Sequence, residues 1–190
     1  RDALGGVVAY DPVEMVFDPE ANLIDYLRYP ANLSPSLSQE CIALALRAAK
    51  SFQIEGLLAV ELFITQEKQV IINEVAPRPH NSGHQSIESS VTSQYEQHLR
   101  ILLDLPLGDT TIKTPSLMLN LVGASHSDGP TRVDGMKETC ALPGTKVHLY
   151  GKKHCRAGRK MGHVTIVDQD LERAAKSLEI VRDNLAIRSH

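Results

Sequence analysis

The sequence lacks the features that mark zinc-bound, secreted and membrane-spanning proteins. Its three cysteines lie far apart and form no CxxC pair, which disfavours a structural zinc site and favours a reduced cytosolic compartment. No apolar run approaches the roughly 20 residues that a membrane-spanning helix needs. The first residues, Arg1-Asp2, do not read as a signal peptide. We therefore expect a cytoplasmic protein without a membrane partner.

An excess of positive charge is also absent. The net charge is -3 and the pI is about 6.2, which argues against a protein that coats nucleic acid. What is present is a globular composition, because 42% hydrophobic and 23% charged residues suffice for a packed core. The length of 190 residues suits one large domain, or one domain with a small appendage.

The order of strand-like and helix-like segments predicts an α+β fold. Apolar and β-branched runs predict strands at 6–17, 22–29, 57–65, 69–76, 116–122, 145–150 and 163–167. Helices are expected to begin at Ser36 or Ser38, at Thr92 or Ser93, and near Asp170. After about residue 112 the strands become short and the loops rich in glycine and proline. We therefore predict two domains, 1–112 and 113–190, the second small and β-rich with a terminal helix.

Two glutamates are expected to face each other in a β-hairpin. Apolar runs flank the polar turn 66–68, and a turn centred there places Glu61 opposite Glu74 and Phe63 opposite Ile72. Opposed Cβ atoms lie about 4.5–5.5 Å apart, so the two carboxylates repel unless a cation compensates. Mg²⁺ is such a cation, since carboxylates and substrate phosphates hold it together. A solvated strand face is the alternative interpretation of both glutamates.

The segment 72–84, INEVAPRPHNSGH, has the composition of a ligand-binding loop. Pro77 and Pro79 fix the backbone on either side of Arg78, whose guanidinium can bind a phosphate or carboxylate. The polar side chains that follow are His80, Asn81, Ser82 and His84. His80 and His84 also have the i,i+4 spacing of a zinc pair, but such a pair needs a helix, which the prolines and glycine disfavour.

A second candidate site is the basic segment 148–163, HLYGKKHCRAGRKMGH. Its bases are Lys152, Lys153, Arg156, Arg159 and Lys160. On a chain of net charge -3 they indicate a local anion site, for which a phosphorylated small molecule is the expected ligand. A nucleic-acid contact and a solvated hairpin are the alternatives, although only Tyr150 is available for base stacking. Cys155 is expected to be an exposed and inert thiol.

The motifs together resemble a known family. They are ELF at 61–63, NEVAPRPHNSGH at 73–84, TSQYEQHLR at 92–100, LPLG at 105–108, and YGK at 150–152 with RKMGH at 159–163. In this order they are similar to N5-carboxyaminoimidazole ribonucleotide synthetase, the ATPase subunit of phosphoribosylaminoimidazole carboxylase. That enzyme is an ATP-grasp carbon–nitrogen ligase of purine biosynthesis.

The resemblance implies a fold and a reaction. The fold is the C-terminal lobe of ATP-grasp, an antiparallel sheet with helices, followed by a small β-rich domain and a C-terminal helix. In the reaction, ATP and bicarbonate form carboxyphosphate, and the carboxyl group moves to the N5 amine of aminoimidazole ribonucleotide. ATP and Mg²⁺ are the implied cofactors, and aminoimidazole ribonucleotide and bicarbonate are the implied substrates.

The resemblance also implies roles for individual residues. Glu61 and Glu74 would hold Mg²⁺, Asn73 and Glu74 would contact ATP, and Glu74 and Arg78 would be catalytic. The candidates for binding the ribonucleotide are Arg78, His80, Asn81 and Ser82, together with Lys152, Arg159 and Lys160 for its phosphate. A regular hairpin turns Asn73 away from the face of Glu74, so either a bulge reorients it or its backbone makes the contact.

The chain departs from this family in length. The family's N-terminal domain and most of its ATP-clamping domain have no counterpart, so we expect a piece of a longer protein that is inactive as a synthetase alone. Its expected partners are those missing domains and a second copy in a homodimer. Two other functions stay open at this point: another ATP-grasp ligase, such as formate-dependent glycinamide ribonucleotide transformylase, and a non-catalytic RNA-binding module.

Overall fold

The structure is a computed structural model that describes residues 1–17 and 24–189. Its helices are α1 (Pro35–Ser51), α2 (Ser86–Ser89), α3 (Gln94–Leu102), α4 (Met136–Cys140) and α5 (Leu171–Asn184). Its strands are β1 (Glu14–Phe17), β2 (Ile24–Tyr29), β3 (Ala59–Ile64), β4 (Val70–Ala76), β5 (Ser116–Val122), β6 (Asp128–Asp134), β7 (Thr145–Leu149), β8 (His154–Arg156), β9 (Lys160–Val167) and β10 (Ala186–Ser189). The predicted α+β class is confirmed.

The chain folds as two compact units. The first takes Arg1–Glu14 and Tyr29–Lys113, and the second takes the described residues of Met15–Arg28 and Thr114–His190. Strands β1 and β2 therefore lie with the C-terminal unit, which a contiguous boundary near residue 112 does not anticipate. None of the helices in the described ranges is both long enough and apolar enough to cross a membrane.

In the first unit, helix α1 begins where its sequence supplies a cap. The Ser34 hydroxyl accepts the Leu37 backbone N–H, and Pro35 occupies the first turn, where its missing N–H costs nothing. The predicted starts at Ser36 and Ser38 are wrong for this reason. The buried residues of α1 are Cys41 and Ala48, seven positions apart and hence on one face.

Also in the first unit, strands β3 and β4 form the predicted hairpin, and a loop leads from β4 to α2 and α3. Helix α3 begins after Ser93, whose hydroxyl accepts the Glu96 N–H, as one of the two predicted caps requires. The loop carries Arg78, His80, Asn81 and Ser82, which the sequence marks as candidate site residues.

The second unit contains a five-stranded sheet in the order β1-β2-β5-β9-β7 and a three-stranded sheet in the order β10-β6-β8. Strand β1 lies at one edge of the five-stranded sheet. Helix α5 packs on β5 and β9. Its apolar face and the strands share a core that includes Leu117, Leu121, Met161, Val164, Ile166, Leu178, Val181 and Ile187.

The elements missed from the sequence are all short. They are α2, α4, β6, β8 and β10, of which the longest is the seven-residue β6. Strand β6, DGPTRVD, has no apolar alternation and contains proline, so its composition indicates a loop. Strand β8 lies within the basic segment that the sequence presents as a loop.

Candidate active site

The two glutamates expected to face each other do so. Strands β3 and β4 pair antiparallel and place Glu61 opposite Glu74, which confirms the predicted register at this point. One carboxylate oxygen of each glutamate and a ring nitrogen of His80 all lie within 4.8 Å of one another. Across residues 1–17 and 24–189, this is the one group of three such side chains that could hold a metal ion.

A β-bulge makes the next pair of the hairpin differ from the predicted one. Ile72 pairs with Leu62 and not with Phe63, because the register shifts by one residue after Glu61. Asn73 is the extra residue, and a bulge re-aims the side chain that it carries. Its amide nitrogen lies 3.5 Å from Glu61 Oε2, so Asn73 shares the face of the carboxylates. Of the two explanations offered for Asn73, the bulge is the one the structure contains.

His80 connects the polar loop to this group. Its Nε2 lies 3.6 Å from Glu61 Oε1, and its Nδ1 lies 2.9 Å from Ser82 Oγ. The ring also accepts the Ser82 N–H at the start of the 3₁₀ turn Asn81–Gly83. The His80 and Glu61 side chains are 15% and 23% exposed, so the pair is shielded from bulk water but still accessible.

Arg78 lies exposed in the loop after β4. One terminal nitrogen of its guanidinium donates to the Pro79 carbonyl at 3.0 Å, and its backbone N–H donates to the Ala76 carbonyl at 2.9 Å. A guanidinium has five N–H donors, so this single side-chain bond leaves donors for an anion.

His84 does not join His80 in a common ligand set. Its Nδ1 lies 2.7 Å from the Tyr95 hydroxyl and 2.9 Å from the Gln94 side-chain nitrogen. Burial raises the pKa of the Tyr95 phenol above its ordinary value. The ring of His84 also stacks on Tyr95, at 5.6 Å between centroids. His80 turns to the glutamates and His84 turns to α3, so their arrangement does not support the zinc pair.

In the second unit, strand β8 organises the basic segment. His154 Nε2 and Arg156 Nε lie 2.6 and 3.7 Å from the same oxygen of Asp128, on the neighbouring strand β6. The hydrogen bond with His154, together with the charges of His154 and Arg156, holds the pKa of Asp128 below its ordinary value. Cys155 points the other way and is completely buried, so the expectation of an exposed thiol is wrong.

The candidate phosphate-binding cations lie on either side of β8. Lys152 Nζ donates to the Lys160 carbonyl at 2.5 Å and lies 5.5 Å from the centre of the Tyr150 ring. The Tyr150 hydroxyl in turn lies 3.0 Å from Nδ1 of the buried His163. Arg159 donates to the His154 carbonyl at 2.9 Å. These cations are therefore held close to the backbone of their own segment.

Sequence reasoning missed the role of two glutamines on α3. Gln94, Gln97 and Ile101 are the buried residues of this helix, and their spacing of three and four places them on one face. A polar residue at a buried helix position must find hydrogen-bond partners. That spacing is the signal that would have identified both glutamines as structural links.

Comparisons with known proteins identify the family of this chain. Residues 1–95 match the family model of the ATP-grasp domain, and residues 116–177 match that of the phosphoribosylaminoimidazole carboxylase C-terminal domain. The chain therefore belongs to the ATP-grasp family. Its relatives within that family are named phosphoribosylaminoimidazole carboxylase or N5-carboxyaminoimidazole ribonucleotide synthase, which confirms the resemblance seen in the motifs.

Three of these relatives give the extent of the similarity. The phosphoribosylaminoimidazole carboxylase of Vigna aconitifolia is 43% identical over 164 residues, which are 85% of this chain and 28% of the relative. The N5-carboxyaminoimidazole ribonucleotide synthetase of Thermotoga maritima superposes with a TM-score of 0.84 at 39% identity, over 87% of this chain and 46% of that one. The Aspergillus clavatus N5-carboxyaminoimidazole synthase, solved with ADP and 5-aminoimidazole ribonucleotide, gives 0.80 at 31% identity, over 92% and 46%. The chain thus spans less than half the length of each.

Proposed function

We propose that the protein carboxylates aminoimidazole ribonucleotide to N5-carboxyaminoimidazole ribonucleotide, consuming ATP and bicarbonate and releasing ADP and phosphate. The observation that carries the proposal is the pairing of Glu61 with Glu74 beside His80, in a chain whose relatives bear the name of this synthase. The Aspergillus clavatus relative, with ADP and the ribonucleotide bound, supports both ligands. These comparisons favour the synthase over the formate-dependent transformylase and over the RNA-binding module.

The residues at the hairpin fit a magnesium ion. Mg²⁺ takes oxygen ligands, and the group offers one oxygen from each of two carboxylates. We assign Glu61 and Glu74 as the metal ligands and His80 as the neighbour that orients Glu61. When bound there, Mg²⁺ and ATP would supply a phosphoryl group for transfer, and the metal would offset negative charge on the phosphates. Asn73, which the bulge places on the same face, would contact the nucleotide.

The remaining candidates have roles that their surroundings support. Arg78 has donors for an anionic carboxylate, and Glu74 has an exposed carboxylate in the glutamate pair, so we propose both as catalytic. The polar loop residues His80, Asn81 and Ser82 would bind the ribonucleotide. Lys152, Arg159 and Lys160 would bind its phosphate, since they concentrate positive charge on one short segment. Assembly as a homodimer stays a prediction, which sedimentation can test.

The reaction is tested by measuring ADP release in the full-length protein and in this 190-residue chain. We expect release that requires both aminoimidazole ribonucleotide and bicarbonate in the full-length protein, and none in the chain alone. Release with formate and glycinamide ribonucleotide instead would contradict the proposal.

The metal assignment is tested separately by the binding of Mn²⁺, observed by electron paramagnetic resonance. Glu61→Gln and Glu74→Gln should each weaken binding about tenfold or more, because each removes a charged ligand. Glu67→Gln is the matched control, since Glu67 lies exposed in the turn of the same hairpin. Equal affinities in all three variants would show that the ion binds elsewhere.

A further inference from the structure

Gln94 makes an unusual two-point contact with the backbone of His80. Its side-chain oxygen accepts the His80 N–H at 2.9 Å, and its side-chain nitrogen donates to the His80 carbonyl at 2.8 Å. One amide thus pairs with both backbone groups of a single residue, as a neighbouring β-strand would. Gln94 is only 6% exposed, so water does not compete readily for these hydrogen bonds.

The same side chain also holds the far end of the loop. The Gln94 side-chain nitrogen lies 2.9 Å from His84 Nδ1, so its two N–H groups serve the His80 carbonyl and the His84 ring. The Ser86 hydroxyl accepts the Gln94 backbone N–H at 2.9 Å and donates to the Gly83 carbonyl at 2.5 Å. The loop between His80 and His84 is therefore fixed to the first turn of α3 at both ends.

Gly83 leaves room for this arrangement. A Cβ atom at residue 83 would lie 2.6 Å from Gln94 Oε1, closer than atoms in contact can lie. The Gln94 amide therefore occupies space that is available because Gly83 has no side chain.

We infer that Gln94 is a positioning residue for the candidate active site, which acts by holding His80 against Glu61. His80 Nε2 lies 3.6 Å from Glu61 Oε1, and the ring can keep that place only while its backbone is fixed. The inference rests on the proposed function in one respect, namely that the group around Glu61 binds a metal ion. Residues that orient metal ligands typically change metal affinity 10- to 100-fold when they are replaced.

The chain offers a matched control on the same helix. Gln97, one turn later and 2% exposed, makes the same two-point contact with Gly108: its nitrogen donates to the Gly108 carbonyl at 2.9 Å and its oxygen accepts the Gly108 N–H at 2.7 Å. Gly108 follows α3 and lies outside the loop 80–84. Replacing either glutamine therefore breaks an equivalent pair of hydrogen bonds to one residue's backbone. Replacing Gln94 also removes its contact with the His84 ring, and only Gln94 contacts the loop of the candidate site.

The experiment compares Gln94→Met with Gln97→Met in the full-length protein, since methionine keeps the side-chain length and removes the amide's hydrogen bonds. We expect both variants to lose thermal stability, and Gln94→Met to lose at least as much, because its contact with His84 is removed as well. The Mn²⁺ dissociation constant should rise about tenfold in Gln94→Met and stay within about twofold of the parent in Gln97→Met. In a His80→Ala background the Gln94 substitution should cause no further loss of Mn²⁺ affinity, because Gln94 acts on the site through His80. Equal effects of both variants on Mn²⁺ affinity, or no effect of either, would overturn the inference.

A second measurement keeps the inference separate from the metal assignment. Amide hydrogen exchange at His80, followed by nuclear magnetic resonance without metal, should accelerate in Gln94→Met and remain slow in Gln97→Met. If the parent protein binds no Mn²⁺ but His80 exchange follows this pattern, the proposed metal site is refuted, and the inference that Gln94 holds the His80 backbone is supported. Unchanged exchange at His80 in Gln94→Met would refute the inference that Gln94 holds the His80 backbone, whatever the Mn²⁺ affinity is.

Discussion

The side-chain amide of Asn73 lies 3.5 Å from Glu61 Oε2 because Asn73 is the extra residue of a β-bulge. In a regular hairpin the same side chain would project from the opposite face of the two strands. The bulge thus adds a hydrogen-bonding amide to the carboxylate pair without separating Glu61 from Glu74. One inserted residue changes what the site can recognise and leaves its charge unchanged.

Removal of Asn73 should therefore separate nucleotide binding from metal binding. Deleting the residue restores regular pairing and keeps Glu61 opposite Glu74, so Mn²⁺ affinity should remain within about threefold of the parent. ATP affinity in the full-length protein should fall about fivefold, the equivalent of one hydrogen bond worth roughly 1 kcal/mol. Isothermal titration calorimetry with Mn²⁺ and with ATP measures the two affinities. Asn73→Ala, which keeps the bulge, should show the same loss of ATP affinity. If Asn73→Ala binds ATP as tightly as the parent does, the loss in the deletion variant comes from the strand register and not from the amide.

Lys152 and Lys153 are neighbours that should differ in their effect on substrate. Lys152 is half-buried and held by the Lys160 carbonyl and the Tyr150 ring, whereas Lys153 is exposed. Lys152→Met should weaken binding of aminoimidazole ribonucleotide about tenfold, because a charge-assisted contact with its phosphate is worth about 1.5–3 kcal/mol. Lys153→Met should change binding by less than about twofold. Titrations at two salt concentrations check this, and equal losses would instead indicate a diffuse electrostatic effect.

Gly83→Ala should destabilise the loop through a clash with Gln94. The added methyl group would lie 2.6 Å from Gln94 Oε1, and that oxygen already accepts the His80 N–H. Overpacking of this kind typically costs about 1–3 kcal/mol, measured here by urea unfolding. The same substitution in a Gln94→Ala background should cost less than half as much, because the atom it meets is gone. Additive losses of unfolding free energy in the double variant would mean that backbone atoms, and not the Gln94 amide, exclude a side chain at residue 83.

Tyr29 should make the protein sensitive to alkali. Its side chain is fully buried, and burial raises its pKa to about 12. The unfolded chain releases the same proton near pH 10, so stability is complete below pH 10 and falls as the pH rises toward 12. Two pKa units correspond to about 2–3 kcal/mol. Unfolding at pH 8 and pH 11 should show a smaller loss in Tyr29→Phe than in the parent; equal losses would assign the effect to other tyrosines, such as Tyr10, whose pKa burial also raises.

The sequence predicted the hairpin and its central carboxylate pair because both follow from local rules. A short polar turn between two apolar runs fixes the register, and the register determines which glutamates meet. The bulge at Asn73 did not follow from these rules, since an extra residue leaves no mark in the pattern of apolar side chains. Its presence was anticipated only as one of two ways to reconcile the hairpin with the resemblance.

The parts that escaped prediction depend on long-range contacts. Cys155 looks exposed in a run of lysines and arginines, yet β8 turns it into the core of the second unit. The spacing of Gln94 on α3 marks a buried polar position, but it does not identify the partner His80, which lies fourteen residues earlier. Strand β6 has the composition of a loop, and its ladders with β8 and β10 make it a strand. Local sequence patterns contain no information on such partners.

The placement of β2 next to β5 has a consequence for biosynthesis. The five-stranded sheet joins residues from the beginning of the chain to strands that end at Val167. At about 5–20 residues per second, a ribosome needs roughly seven to thirty seconds to supply those later strands after β2 has been synthesised. During that interval β1 and β2 lack the neighbours that complete their sheet, while the hairpin β3–β4 can already form. The nascent chain therefore completes its active-site hairpin before the sheet that incorporates its first strands.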